Sequence, residues 1–417
     1  MKFTKYLKRK ILKETFDTKL KHTYTLGMDG ISTNKFSEII DDEIDIIKRK
    51  VKNHTYNISP YREKLILKGK TSNPRSISIP TNRDKLTLSA LQKFLVTEFK
   101  GKLSDDDVNS KISHIKQTIK SNTFDSFIKL DIKSFYPNID HEILLNKVRV
   151  QINDKEALYL LEKALRQVAI ATGRRKDIQT KVEQKGVAQG LSISNILSSV
   201  YLNSLDKKYS KKTNLAYFRY VDDILILCNK GDMNDIKESI AMDTQKLKLE
   251  IHDFKENSDK SEFGTIHKDK FQFLGFDFFA DIVSVRERSI DKLRDRIIGV
   301  FYANQEKNIT SLYRELNLKI SGCIYDEKQY GWMYFFRQMD DQTLLYSLDI
   351  FVKKCFIRFH RKYKESKVKK FTKIYFKLKN YDIDKLDKNT YIPKFNTAIG
   401  RSLKHEIVKL KEDVYFY

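Results

Sequence analysis

The pattern of apolar and polar positions divides the chain into helical and strand-forming stretches. Residues 1–125 are mostly helical in pattern, with a β-like interruption near 60–80, and the stretch from Glu142 to about Thr172 is amphipathic at helical spacing. From Ile290 to Phe301 apolar residues again recur at helical spacing. Shorter runs of strand character lie between these stretches. The pattern predicts a protein of helices and strands, with a mainly helical region after residue 289.

Two adjacent acids interrupt one of the strand-forming runs, which extends from Phe218 to Cys228. Neighbouring strand residues point to opposite faces, so Asp222 and Asp223 can converge on one ion only at a tight turn between two strands. We therefore predict a β-hairpin with the acids at its tip. A solvated turn is the simpler explanation of an isolated Asp-Asp pair.

A second strand-forming run, which begins at Phe127, ends in another acid, Asp131. Pro137 follows it, and a helix start is predicted near Asp140. Carboxylates from separate strands of one sheet suit Mg²⁺, which combines a few carboxylates with substrate phosphates. Such a set is typical of two-metal phosphoryl transfer.

Several segments together resemble the reverse transcriptase family. Tyr220-Val221-Asp222-Asp223 resembles its catalytic motif, and the segment from Asp131 to Tyr136 resembles its first palm motif. The segment from Gly186 to Leu197 resembles the turn that opens the palm helix. Further matches cover about residues 25–280 and are similar to group II intron and related bacterial enzymes; they lie at 27–31, 66–85, 247–255 and 271–276.

The resemblance implies an α+β right-hand polymerase with fingers, an antiparallel-sheet palm and a helical thumb. The implied boundaries are an N-terminal extension and fingers over 1–125, a palm over 126–280 with a helical excursion near 142–185, a thumb over 281–360 and a basic C-terminal extension over 361–417.

The resemblance also implies a role for each matching residue. Asp131 and Asp222 would bind two Mg²⁺ ions, or alternatively Mn²⁺, with the backbone carbonyl of Ile132, and Asp223 would complete the catalytic carboxylates. The nucleotide would be held by Lys68 and Arg75 at the triphosphate, by Gln189 and Gly190 beneath the base, and by Lys255 near the leaving phosphates. Phe273, Leu274 and Gly275 would form the primer grip.

Tyr136 resembles the aromatic steric gate that crowds a ribose 2′-hydroxyl and so favours deoxynucleotides. The alternative is that Tyr136 packs in the core beside Phe135, since aromatic side chains commonly fill cores.

Composition agrees with a nucleic-acid enzyme without defining one. The 417-residue chain has 80 Lys plus Arg against 55 Asp plus Glu, and the net charge of +25 favours a polyanionic partner. Three cysteines without paired spacing predict buried thiols and no zinc site. No stretch approaches the roughly 20 apolar residues of a membrane span. We expect no membrane partner and a cytoplasmic location.

The C-terminal region mixes basic and aromatic residues. Lys367, Lys369 and Lys370 are followed by Phe371 and Tyr375, a mixture found on nucleic-acid platforms, although a solvated helix face explains it as well. Trp332 is expected to anchor a helical core.

The best overall match is a stand-alone, defence-associated bacterial reverse transcriptase that copies a dedicated noncoding RNA template into DNA from deoxynucleotides. Two other classes stay open. One is a maturase-like RNA-binding protein, and the other is an RNA-dependent RNA polymerase, which usually carries a polar 2′-hydroxyl selector at the position of Tyr136.

Overall fold

The structure of the protein is a computed structural model. It describes residues 2–21, 23–67, 74–104, 106–171, 184–254, 260–379, 391–395, 406–407 and 410. Lys68 and Lys255, two of the predicted nucleotide contacts, lie outside these residues.

Helices and strands alternate irregularly along the chain. The helices are α1 (Arg9–Thr15), α2 (Thr33–Glu38), α3 (Ile40–Lys52), α4 (Asn82–Glu98), α5 (Val108–Lys120), α6 (Phe135–Asn138), α7 (His141–Gln151), α8 (Lys155–Leu165), α9 (Ser194–Tyr209), α10 (Met233–Lys246), α11 (Glu287–Ala303), α12 (Ile309–Ser321), α13 (Trp332–Phe335), α14 (Gln342–Arg358) and α15 (Phe371–Leu378). The strands are β1 (Tyr61–Ile66), β2 (Arg75–Ile79), β3 (Ser126–Asp131), β4 (Ala169–Ile170), β5 (Leu215–Tyr220), β6 (Asp223–Cys228), β7 (Glu262–Thr265), β8 (Phe271–Phe273), β9 (Phe276–Phe279), β10 (Ile282–Val285), β11 (Cys323–Tyr325), β12 (Lys328–Tyr330) and β13 (Lys394–Phe395). The α+β prediction is confirmed.

Polar side chains at the helix starts explain several boundaries. Thr81, Asp140 and Asp154 each accept a hydrogen bond from the backbone N–H three residues on, at the starts of α4, α7 and α8. Such caps satisfy amide groups that have no partner within the helix. The predicted helix start near Asp140 is confirmed. The amphipathic stretch predicted as helical to about Thr172 contains two helices, because Asp154 begins a new one, but near its end Ala169–Ile170 form strand β4 instead.

The chain divides into two compact units. Unit 1 comprises Met1–Asp105, Leu130–Thr213 and Asn234–Asp253, and unit 2 comprises Asp106–Lys129, Asn214–Met233 and Phe254–Tyr417. Unit 1 contains a three-stranded sheet of order β2-β1-β4, in which β1 pairs antiparallel with β2 and parallel with β4.

A four-stranded sheet of order β5-β6-β3-β7 carries the predicted acids. Strand β3 is buried from Ser126 to Leu130, and only its last residue, Asp131, is half-buried. Strand β6 likewise begins at half-buried Asp223 and is buried from Ile224 onward. Both strands therefore place an acid at the end of an otherwise buried run, where a carboxylate avoids the cost of full burial.

The rest of unit 2 is built on an aromatic core. A second sheet, β10-β9-β8, and a third, β12-β11-β13, accompany helices α5 and α11–α15. Trp332 is only 2% exposed, and its ring lies 4.9 Å from that of Phe336. The core role predicted for Trp332 is confirmed. The three cysteines are buried free thiols, as predicted, and none of the described helices is long and apolar enough to cross a membrane.

At one glycine, two segments of unit 1 approach each other closely. Gly190 has a φ of +101°, and a Cβ built on it would lie 2.8 Å from Ile77 Cγ2 and 3.0 Å from the carbonyl oxygen of Ser78. The preceding residue, Gln189, accepts a hydrogen bond of 2.7 Å from the Ser78 amide. Only glycine tolerates both the backbone angle and this close approach to β2.

We predict that Gly190→Ala destabilises unit 1 more than Gly101→Ala does. Gly101 also has a positive φ, of +70°, but no atom lies within 4 Å of the added Cβ. The control substitution therefore costs only the backbone term, about 1–2 kcal/mol, whereas Gly190→Ala adds a steric clash. Urea denaturation of the two variants measures the difference. Equal losses would contradict the contact with β2.

A buried ion pair crosses the four-stranded sheet. Lys129 of β3 stands opposite Glu262 of β7, with Nζ 3.1 Å from Oε1 and side chains 10% and 9% exposed. Glu262→Ala should lower the free energy of unfolding by about 3–5 kcal/mol, because it leaves a buried ammonium group without this carboxylate. Urea denaturation measures the loss.

An exposed pair provides the matched control for that prediction. Lys133 and Glu250 are 3.8 Å apart, with side chains 39% and 80% exposed, so Glu250→Ala should cost less than about 1 kcal/mol. Combining Lys129→Met with Glu262→Leu should restore most of the stability, because no charge is then buried. If the double variant is as unstable as Glu262→Ala, the ion pair does not explain the loss.

Candidate active site

The predicted hairpin is present, with the acids at its tip. Strands β5 and β6 pair from Leu215↔Cys228 to Tyr220↔Asp223, which leaves Val221 and Asp222 as a two-residue loop. Val221 has a φ of +56°, a strained angle for a β-branched residue that costs on the order of 1–3 kcal/mol. The hairpin prediction is confirmed, and both acids are half-buried.

A buried arginine of the hairpin itself holds this turn. Arg219 is 9% exposed, and its Nη1 donates a hydrogen bond of 2.8 Å to the carbonyl oxygen of Val221. The guanidinium group thus fixes the carbonyl of the strained residue. It also places a positive charge in the segment that carries two carboxylates.

Asp131 ends β3, and its backbone continues beside a segment near the end of unit 1. Its carbonyl oxygen accepts a hydrogen bond of 3.1 Å from the His252 amide, and Ile132 forms a β-bridge with Ile251. The Lys133 amide donates to the carbonyl of Glu250. The segment that resembles the fourth palm motif therefore lies alongside the segment that resembles the first.

The position of His252 was missed by the sequence analysis. Its Nε2 lies 3.8 Å from Oδ2 of Asp131, whose side chain is 16% exposed. A single histidine after an apolar run carries no signal in the sequence, because the contact depends on the bridge between two segments far apart in the chain. Within the described parts of the chain, no three His, Cys, Asp or Glu side chains are grouped closely enough to hold a metal ion.

Phe135 and Tyr136, which are adjacent in the chain, differ in burial. Ser134 adopts a left-handed conformation after β3, with φ 45° and ψ 51°, and starts the short helix α6. Phe135 is 2% exposed and packs in the core, whereas Tyr136 is half-buried. Its hydroxyl donates a hydrogen bond of 3.0 Å to Asn195 Oδ1. Sequence reasoning also missed Asn195.

The other predicted nucleotide contacts that the structure describes lie around the Gly190 turn. Arg75 begins β2 and is half-buried, and the same strand contacts Gln189 and Gly190 through Ile77 and Ser78. Arg75, Gln189 and Gly190 are therefore connected within unit 1 by one strand and one turn.

The predicted primer grip is a second tight hairpin. Phe273 pairs with Phe276, so Leu274 and Gly275 form a two-residue loop in which φ is 52° and 82°. Positive φ at both loop positions is typical of a type I′ turn. Phe273 and Leu274 are buried. The Arg286 amide donates a hydrogen bond of 3.0 Å to the carbonyl of Gly275.

Two of the three C-terminal lysines have protein partners. Lys369 Nζ donates to Ser321 Oγ at 3.0 Å and to the carbonyl of Tyr391, and burial lowers the pKa of Lys369 to about 8. Lys370 forms an ion pair with Glu365. Lys367 is exposed. The prediction of nucleic-acid contact therefore rests mainly on Lys367.

A basic stripe on α11 also went unnoticed in the sequence. Arg288, Lys292 and Arg296 follow one another at intervals of four, and so occupy one face of this helix. Partial burial lowers the pKa of Lys292, and so does repulsion from the positive charges of Arg288, Arg296 and Arg286. The four-residue spacing of these cations in the sequence is the pattern that could have predicted the stripe.

Comparison with known proteins gives relatives at low identity. The group II intron-encoded protein LtrA of Lactococcus lactis subsp. cremoris is 27% identical over a 187-residue alignment that covers 43% of this chain and 29% of that protein. Protein YkfC of Escherichia coli strain K12 is 23% identical over a 303-residue alignment that covers 61% of this chain and 76% of that protein. The match with LtrA therefore spans less than a third of its length.

Among solved structures, apo telomerase from Candida tropicalis matches with a TM-score of 0.44 and 15% identity, over 94% of this chain and 70% of that one. Telomerase from Candida albicans, in complex with a fragment of telomeric RNA, matches with a TM-score of 0.43 and 13% identity, over 85% and 70%.

The family comparison covers the segments that carry the acids, the Gly190 turn and the hairpin predicted to be the primer grip. The sequence profile described as "Reverse transcriptase (RNA-dependent DNA polymerase)" matches residues 66–278, about half of the 417 residues. With Asp131, Asp222 and Asp223 inside that match, the chain belongs to the reverse transcriptase family.

Proposed function

We propose that the protein is an RNA-directed DNA polymerase. The observation that carries the proposal is the half-buried acidic hairpin of Asp222 and Asp223, on a strand whose neighbour in the sheet ends in Asp131. Acids in this arrangement, in a chain of this family, favour nucleotidyl transfer over a purely structural turn. The half-buried Tyr136 favours DNA over RNA as the product, because a ring beside the sugar would exclude a 2′-hydroxyl.

The donor set suits magnesium. Asp131, Asp222 and the carbonyl of Ile132 offer the hard oxygen ligands that Mg²⁺ prefers, and Asp223 adds negative charge beside them. When bound, two Mg²⁺ ions would activate the primer hydroxyl and neutralise the leaving pyrophosphate. The protein's own part is to hold these carboxylates in place, which the strand ends and the Arg219 contact support. Mn²⁺ would fit the same oxygen donors.

The deoxynucleotide would lie over the Gly190 turn. Arg75 would bind the triphosphate together with Lys68, because a guanidinium group and an ammonium group recognise phosphate oxygens in complementary ways. Gln189 and Gly190 would support the base, and Lys255 would lie near the departing phosphates. Leu274 and Gly275 would hold the primer through their turn.

The partner we propose is an RNA template, and more narrowly a cognate noncoding RNA used in antiphage defence. The net charge of +25 supports a polyanionic partner. In this proposal fingers, palm, thumb and basic extension occupy 1–125, 126–280, 281–360 and 361–417. Sequencing the nucleic acid that copurifies with the protein would identify the template and product.

We predict that Asp222→Ala combined with Asp223→Ala abolishes deoxynucleotide incorporation, because the carboxylates at the hairpin tip are lost. Primer extension on an RNA template with Mg²⁺, and with EDTA as the metal-free reference, measures the effect. Circular dichroism should show unchanged folding.

The chain provides a matched control for the acidic hairpin. Phe279 pairs with Ile282, so Ala280 and Asp281 form another two-residue loop, and Ala280 has a φ of +50°. Asp281→Ala thus removes an acid from the same place in a similar turn and should leave incorporation unchanged. Incorporation that survives the double variant would contradict the proposal, and a maturase role would then be favoured if RNA binding also survives.

Tyr136→Ala should raise ribonucleotide incorporation relative to deoxynucleotide incorporation, because it removes the ring beside the sugar. Primer extension with each nucleotide set measures the ratio of the two kcat/KM values. A preference for ribonucleotides in the unaltered protein would instead favour an RNA-dependent RNA polymerase, and an unchanged ratio in the variant would remove the gate assignment.

A further inference from the structure

Tyr136 is attached at both of its ends to one segment of unit 1. Its backbone carbonyl accepts a hydrogen bond of 2.8 Å from the Val187 amide. Its hydroxyl donates one of 3.0 Å to Asn195 Oδ1. Val187 and Asn195 lie on either side of the Gly190 turn, so the tyrosine connects the two ends of the segment that passes beneath the proposed nucleotide.

The neighbours of Val187 and Asn195 in the chain are also held by hydrogen bonds. The Gly186 amide donates a hydrogen bond of 2.7 Å to the carbonyl of Ile139, and Ser194 Oγ donates one of 2.7 Å to the carbonyl of Ala188. Asn195 is the second residue of the 16-residue helix α9. The acceptor of the tyrosine hydroxyl is therefore carried by an ordered helix.

The side chain of Asn195 has no capping role in this helix. The residue at the N-cap position is Ile193, which makes no side-chain cap. Asn195 is exposed, so its side chain is not required to fill the core. Its hydrogen bond to Tyr136 is thus the contact through which a substitution would act.

The ring of Tyr136 needs such a restraint if it is to discriminate between sugars. A change of χ1 rotamer would move the whole ring of this residue, which is only half-buried, with Phe135 at a ring distance of 5.4 Å. A ring that can swing aside leaves room for one additional oxygen atom. Because a change of χ1 also moves the hydroxyl, a hydroxyl anchored to a helix keeps the side chain in one χ1 rotamer.

We propose that Asn195 is a positioning residue that fixes Tyr136 and thereby sets the preference for deoxynucleotides over ribonucleotides. This inference rests on the proposed polymerase function. Asn195 does not touch the reacting atoms, and it acts only through the tyrosine hydroxyl. The discrimination thus depends on a hydrogen-bonded pair rather than on the ring alone.

The test is a double-mutant cycle on the ratio of kcat/KM for a deoxynucleotide to kcat/KM for the matching ribonucleotide. Tyr136→Phe and Asn195→Ala each remove the same hydrogen bond while the ring remains. Each should lower the ratio by about 3- to 10-fold, the range expected for one hydrogen bond. The double variant should lower it no further, because the bond can be lost only once.

Two further variants separate positioning from general damage. Asn195→Asp keeps an acceptor oxygen and should restore the ratio, even if its charge weakens binding of both nucleotides equally. Asn203→Ala makes the same truncation on the same helix, at a half-buried position, and should leave the ratio unchanged. Thermal unfolding followed by circular dichroism verifies that each variant is folded.

The outcomes distinguish this inference from the function on which it rests. If the unaltered protein incorporates no deoxynucleotide, the proposed function itself fails and the inference falls with it. If it incorporates deoxynucleotides but Asn195→Ala leaves the ratio unchanged, or if the two single effects add in the double variant, only the positioning role is overturned.

Discussion

The structure depends on a conflict between charge and burial in the four-stranded sheet. Strands β3 and β6 are buried along almost their whole length, and a carboxylate in the middle of either would lose its hydration and need a cation beside it, as buried Glu262 of β7 has in Lys129. Acids are tolerated at the strand ends, where the chain leaves the sheet. Because the chain must then turn at once, Val221 and Ser134 both adopt left-handed backbone conformations close to the acids. The local strain is a consequence of placing charge at the boundary of a buried sheet.

The segment around Gly190 is held by hydrogen bonds to several parts of unit 1. One short segment is bonded to β2 through Ser78, to the residues after β3 through Tyr136 and Ile139, and to its own helix through Ser194. A residue with a Cβ at Gly190 would disturb all of these at once, since the turn would have to move away from β2. The Gly190 turn therefore connects β2, the strand that begins at Arg75, with Tyr136 through hydrogen bonds.

Much of the fold could be predicted from the sequence, because local rules decide it. The strand that ends in Asp131, the hairpin at Asp222, the cap at Asp140 and the core role of Trp332 each follow from a pattern within about a dozen residues. Asn195 and His252 could not be found in this way. Asn195 is defined by its contact with Tyr136, 59 residues away, and His252 by its contact with Asp131, which is still farther away in the chain. Neither lies in a pattern that distinguishes it from an ordinary surface residue. The burial of Lys369 depends likewise on contacts with Ser321 and Tyr391.

A tight turn with an acid does not make a site by itself. The loop of Ala280 and Asp281 repeats the loop of Val221 and Asp222, with a left-handed first residue and an aspartate second. Asp281 is mostly exposed and lies 3.6 Å from His267, whereas Asp222 is half-buried. The two turns share their backbone but differ in what their strands adjoin: β6 lies next to β3, while β9 and β10 belong to a separate sheet. The loop of Ala280 and Asp281 therefore lacks what the loop of Val221 and Asp222 has, a neighbouring strand in its sheet that ends in another acid.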